Sequence, residues 1–361
     1  DPHFMYEPPR EFAEKFKDAP RLEHVTAEVA TPLFGRYAGE IAYVDHCIGE
    51  VNARLKQLGM YDSTLIIVTS DHGEMLGQHG EVSHGYYVYQ PAVQVPLVVR
   101  IPGLAAASRV ENTVGLIDIV PTICAALSIE PPRDVQGLDL GAYLKDDFPG
   151  YPNRQVYCQS FEPTKYGANS LLGVVTDRHK YIQTTRPELY DLQADPAELD
   201  NRSDADPVTG RMLQDALSRI VERGTPVGSG QEAGHLDEEA VRRLESLGYV
   251  GGGIEADFTF DTDKEDPKDL IDYHVKMMEV GYLVHSGSYD EAERHCRQLM
   301  AERPSYFRPH FALAKLASTR EKHEESVAHL QKSIELNPEH VQSHHGLVAS
   351  YQELGRTDEA I

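Results

Sequence analysis

The sequence predicts an α/β protein: a layer of helices and buried parallel strands, then a small antiparallel subdomain, then a tail of paired helices. Three observations carry this. An amphipathic helical stripe precedes two short runs of consecutive apolar residues. From Gln155 onward the texture changes to brief strands separated by turns. Beyond residue 268 the sequence repeats with a fixed period.

Between Phe34 and Leu58, the residues Ile41, Val44, Ile48, Val51, Leu55 and Leu58 recur at alternating spacings of three and four, one apolar face of a helix that Gly59 closes. Ser63 to Thr69 and Val95 to Ile101 are apolar and β-branched on consecutive positions, the texture of strands covered on both faces. Helices alternating with such strands imply a parallel sheet. Further on, Val156 to Cys158, Leu171 to Val175 and Lys180 to Ile182 read as short strands, the latter two joined across the polar turn at Asp177 and Arg178. Residues 224–235 and 250–266 are rich in glycine and acid, carry no periodicity, and read as linkers.

In the tail, Pro304 and Pro338 stand 34 residues apart, as do Asp290, Glu324 and Asp358, and Leu313 and Leu347. A period of about 34 with a helix-ending proline is the tetratricopeptide pattern of paired helices. Stacked repeats of this kind present surfaces for protein partners. The pattern breaks off at "TDEAI" within a further helix, so the repeat array is expected to be incomplete.

Composition narrows the function. The chain has 361 residues with 58 acidic and 34 basic side chains, a formal charge of -24. With no cluster of Lys and Arg, a nucleic-acid backbone is excluded as a partner. The four cysteines lie far apart without C-x-x-C spacing, which argues against both a disulfide framework and a thiolate zinc site. No run of about 18 apolar residues occurs, so no transmembrane helix is expected within these residues.

The chemistry concentrates in "SDHGEMLGQHGEVSHGYYVY", residues 70–89, which places three histidines and three carboxylates directly after an apolar strand. Open α/β sheets bind ligands beyond the carboxyl ends of their strands, where Asp71 and His72 stand. A hard oxygen beside an imidazole nitrogen suits Mn or Zn better than Ca. Gly73 lets the backbone turn closely beneath them, and His84 can return to the same place from the following loop. Glu74 reads as an outer partner or a surface group, and His79 as a solvated loop residue. An Asp at this position also serves as a helix N-cap, so the local sequence alone leaves metal site and polar loop both open.

The wider chain is more specific. "YAGEIAYVDHCIGEVNARLKQLGMYDSTLIIVTSDHGEMLGQHGEVSHG", "VQVPLVVRIPG", "LIDIVPTICAAL", "QGLDL" and "ELYDLQADPAELDN" resemble, in order and spacing, the carboxyl-terminal half of the sulfatase branch of the alkaline-phosphatase-like superfamily. The opening "DPHFMYEPP" looks like that family's histidine-containing segment over the active site. The resemblance covers residues 1–253, leaving 254–267 as a linker and 268–361 as the tetratricopeptide tail. It implies a metal-dependent sulfuric ester hydrolase in which Asp71 and His72 hold a divalent cation and His3 is the catalytic histidine that contacts substrate, while His84 matches the histidine that in phosphoethanolamine-transferring relatives joins the catalytic site. A sulfate or phosphate ester is the substrate class implied, and an extracytoplasmic or membrane-associated setting the compartment.

Two departures bear on this. The family's nucleophile motif, Cys or Ser followed by x-Pro-x-x-Arg, does not occur, so the chain is expected to be a fragment that is inactive alone. No Lys occurs between residues 73 and 99, where many arylsulfatases carry one. That keeps open a phosphoric or phosphonic ester hydrolase, or a phosphoethanolamine transferase, of the same superfamily. A tetratricopeptide interaction module is the non-enzymatic alternative.

Overall fold

A computed structural model describes residues 6–18, 30–104, 109–144, 150–151, 153–224 and 260–356, with 2, 148 and 358 as isolated positions. It divides into two compact units: residues 1–224 with 259–267, and residues 225–258 with 268–361.

The first unit opens with the one-turn helix α1 (Arg10–Ala13) and the long helix α2 (Ala30–Gln57). Phe12 packs edge-on against Tyr43, and Pro8 sits so tightly on Gly39 that a Cβ there would meet its ring at 3.0 Å. Helix α2 ends at Gly59, whose φ of +67° lets Met60 donate back to the Leu55 carbonyl, a glycine C-cap.

Strands β1 (Ile66–Thr69) and β2 (Leu97–Arg100) follow, with the four-residue helix α3 (Gln90–Val93) between them. Here the expectation of a parallel sheet fails. The two strands pair antiparallel, Ile66 opposite Arg100 and Thr69 opposite Leu97. Parallel pairing needs a crossover element of a dozen or more residues, usually a helix, whereas α3 is a single turn and the chain simply folds back. Nor is this pair covered on both faces among the described residues: Val98 is 62% exposed. A cleft of about 250 Å³, lined by Ile48 of α2 with Ile66, Val68 and Val98, separates helix from sheet.

Helix α4 (Ile119–Leu127) is headed by the buried Asp118, whose carboxylate accepts from the amides of Gly115 and Leu138 and pairs with Arg154. Then comes the antiparallel meander β3 (Val156–Ser160), β4 (Leu171–Val175), β5 (His179–Gln183) and β6 (Glu188–Asp191), in that order across the sheet. The expected turn is present: Val175 faces Lys180, and Thr176 donates to the His179 carbonyl. Helix α5 (Pro207–Gly224) covers this sheet, seating Leu213 and Leu217 among Leu172, Val174, Tyr181 and Leu189.

Of the stretch 254–267 expected as a linker, residues 260–267 are described, and they are tied to this unit. Asp261 exchanges hydrogen bonds with Asn169 through its amide and carbonyl, the Asp266 carboxylate accepts from Thr184 and the Arg186 amide, and Tyr86 donates to the Pro267 carbonyl.

The second unit is helical throughout its described residues: α6 (Ile271–His285), α7 (Tyr289–Glu302), α8 (Arg308–Thr319), α9 (His323–Leu336) and α10 (Val341–Glu353). Consecutive helices pack on one another through Leu283, Ala292, Cys296, Leu313, Ala317, Val327 and Leu330, all buried. Among the described residues no helix is long and apolar enough to cross a membrane.

Candidate metal and ester-hydrolysis site

The turn after β1 is shaped by its own polar atoms. Ser70 donates through its hydroxyl to the His72 carbonyl at 2.7 Å, and the His72 amide donates to Asp71 Oδ1 at 3.0 Å. Gly73 then passes over α3: its amide donates to the Ala92 carbonyl at 2.7 Å, and a Cβ on it would lie 2.1 Å from the Pro91 oxygen. No other residue fits there without displacing α3.

This turn presents a donor pair. His72 Nδ1 lies 2.8 Å from the Gly73 carbonyl, which fixes the proton on Nδ1 and leaves Nε2 with its lone pair. Nε2 stands 3.8 Å from Asp71 Oδ1. Two bonds of about 2 Å to one ion span such a separation, so the pair fits a divalent cation by tautomer and spacing. The Asp71 side chain is 72% exposed, open to an ion and to whatever completes its shell. Among the described residues no group of three or more His, Cys, Asp or Glu is placed to hold a metal. The pair needs further ligands.

His84 arrives from the following loop as expected. Its ring stacks on that of His72, centroids 3.7 Å apart and planes 23° apart, and its Nδ1 lies 3.2 Å from Glu74 Oε1. Glu74, open in the sequence between surface and supporting roles, is buried: its carboxylate orients His84 and lies against the Tyr6 hydroxyl. Burial first, and then the Glu74 charge, push that phenol above its ordinary range. Tyr6 in turn packs edge-on against Tyr37 of α2, so the opening segment reaches the site. His3 lies outside the described residues.

The loop itself is clamped by Glu81, which the sequence did not single out. Its carboxylate accepts from the amides of Tyr86 and Tyr87 at 2.9 and 3.0 Å, closing residues 81–87 with His84 at the apex. Burial pushes Glu81 up to about 8 despite these bonds. The Met75 amide donates to the Ser83 carbonyl, and the Ser160 hydroxyl to the Gly85 carbonyl, completing the hold.

His79 corrects an expectation. It is not a solvated loop residue: its ring stacks on Tyr89 at 3.7 Å and its Nε2 lies 3.1 Å from the Ala197 carbonyl. Burial lowers its pKa. Between Gly77 and Gly80, both at positive φ, His79 itself adopts φ +52°, turning its side chain toward the subdomain and away from His72.

Against this geometry stand the likenesses to known proteins. Residues 1–129 match the family described as Sulfatase, and residues 77–223 the family described as N-sulphoglucosamine sulphohydrolase, C-terminal. Arylsulfatase K of Bos taurus is 28% identical over 239 residues, covering 63% of this chain and 43% of that protein. N-acetylglucosamine-6-O-sulfatase of Bacteroides thetaiotaomicron is 29% identical over 173 residues, covering 46% of this chain and 31% of that protein. The chain therefore spans less than half the length of these curated relatives. In fold, a crystal structure of yidJ from Bacteroides fragilis, described as a sulfatase, superposes with a TM-score of 0.52 at 20% identity, covering 61% of this chain and 52% of that one.

Proposed function

We propose, from the premise that residues 1–223 carry a sulfatase-type domain of the alkaline-phosphatase-like superfamily, that the chain supplies the carboxyl-terminal half of a metal-dependent sulfuric ester hydrolase. The observation that carries this is the donor pair at the end of β1: Asp71 Oδ1 and His72 Nε2, 3.8 Å apart, with the imidazole tautomer fixed for ligation.

A divalent ion held there would polarise a sulfuryl oxygen and withdraw charge from it. Mn or Zn suits the mixed oxygen and nitrogen donors better than Ca. The chain's own residues do the rest of what this half contributes. Ser70 and Gly73 fix the turn so that Asp71 and His72 need not reorganise on binding. Glu74 holds the His84 ring with a proton on Nδ1, and His84 lies face to face with His72, beside the ester oxygens of a substrate bound at the pair. His3, by the resemblance of the opening segment, is the other histidine proposed to contact substrate.

The second reading, a phosphoric or phosphonic ester hydrolase or phosphoethanolamine transferase of the same superfamily, is favoured by two features: no Lys stands between residues 73 and 99 to meet an aryl or sugar sulfate, and His84 is present. The helical tail is proposed to be tetratricopeptide in kind. Its helices α7 and α9 begin at residues 289 and 323, a difference of 34, and a protein partner is its natural ligand.

The test is a paired assay on the protein carrying the complete domain, with an aryl sulfate and a phosphate monoester, with and without chelator. Sulfate release that chelation abolishes supports the reading. Phosphate release alone replaces it with the second.

A further inference from the structure

Outside the site, among the described residues, Lys180 on β5 and Glu198 in the turn after β6 form a fully buried charged pair, both with side chains 0% exposed and 2.8 Å apart. Two features mark it as more than packing. Glu198 holds φ +57°, a left-handed conformation that costs a non-glycine residue energy and persists only where its surroundings impose it. The pair also reaches across to another element. Glu198 Oε2 accepts the Gln90 amide at 2.5 Å, and Lys180 Nζ lies 3.3 Å from Gln90 Oε1. Gln90 opens α3, whose preceding residue Tyr89 makes no side-chain cap, so the capping group for this turn comes from Glu198. Two residues on, Ala92 accepts the Gly73 amide, and Pro91 leaves no space above Gly73.

We propose that the Lys180–Glu198 pair is a positioning element for the metal site. It clamps Gln90 at the head of α3, and α3 is the seat on which Gly73 holds Asp71 and His72. The antiparallel subdomain thereby sets the spacing of the donor pair without touching metal or substrate. The inference rests on the assignment of Asp71 and His72 as metal ligands, and its test separates the two.

The variant is the double change Lys180→Met with Glu198→Met, which replaces a buried ion pair by apolar groups of similar length, a replacement that leaves stability nearly intact in other proteins. Single changes would leave one charge buried alone and threaten folding. Arg178→Ala, which removes the exposed guanidinium paired with Asp191 beside the turn before β5, is the control. Two quantities are read: hydrogen exchange of the Gly73 amide on the 361-residue chain, which needs no metal, and Mn affinity by calorimetry on the protein carrying the complete domain. The expected result is Gly73 exchange at least roughly 10-fold faster in the double variant, with Mn affinity lowered by a similar factor, as for outer partners of metal ligands. Arg178→Ala should move neither. Unchanged Gly73 exchange in a folded double variant overturns the proposal. A double variant that does not fold overturns it too, since the pair would then be a structural necessity of the subdomain. Protein carrying the complete domain that binds no Mn would count against the ligand assignment, and Gly73 exchange would still decide the positioning role.

Discussion

At Asp71 and His72 the account stands or falls on two atoms. Asp71→Ala or His72→Ala should weaken Mn or Zn binding by at least the roughly 10- to 100-fold lost when an outer partner is removed, measured by calorimetry, with the thermal melt of Asp71→Ala little changed because Asp71 is exposed. Glu81 offers a pH test. Its carboxyl is raised from 4.5 to about 8 by burial, so between those values the folded chain keeps a proton that the unfolded chain has lost. Its stabilising contribution is therefore complete below about pH 4.5 and disappears as pH rises through 8. Thermal melts of the wild type should fall across pH 6 to 9, and Glu81→Gln should flatten that slope. Much of the site was legible at this scale. Asp71, His72 and His84 stand where a strand end and a returning loop suggest. Glu74 was legible as an outer partner, though not apart from a surface role, whereas Glu81 was not legible as a clamp, because its partners are backbone amides that no spacing rule encodes. His79 was misjudged for a similar reason: its partner Ala197 lies 118 residues away.

Among the elements, α3 is small but decisive. Gly73→Ala places a Cβ 2.1 Å from the Pro91 carbonyl, and overpacking of this kind costs roughly 1–3 kcal/mol. The expected readout is a lowered melting temperature together with weaker metal binding, since α3 must shift. Leu217→Ala, in the core between α5 and the meander, should cost roughly 2–5 kcal/mol in chemical denaturation while leaving the affinity of any folded fraction unchanged. Helix α2 with its closing Gly59, three of the four meander strands and the turn at Asp177 could be read from periodicity and turn chemistry. The direction of β2 could not. A consecutive apolar run reports how deep a strand lies, whereas pairing direction depends on whether a helix crosses between the strands, and α3 is too short to do so. Strand β6, only Glu188–Asp191, is too brief to stand out, and its Glu188 is buried because Tyr89 and Tyr190 both donate to it.

For the whole molecule, the two units have separate cores. Leu313→Ala in α8 should lower the melting temperature of the helical unit and leave metal binding by the first unit unchanged. The apolar residues left exposed on α2, β2 and α4, among them Val51, Val98 and Val120, lie in the portion that matches the family described as Sulfatase. The account's central claim is that Asp71 and His72 hold the ion that makes this domain an ester hydrolase. The most direct measurement is sulfate release from an aryl sulfate by the protein carrying the complete domain, wild type against His72→Ala, both saturated with Mn. The account predicts turnover by the wild type that chelation removes, and none by a folded His72→Ala variant. Metal-dependent turnover that survives His72→Ala would contradict it.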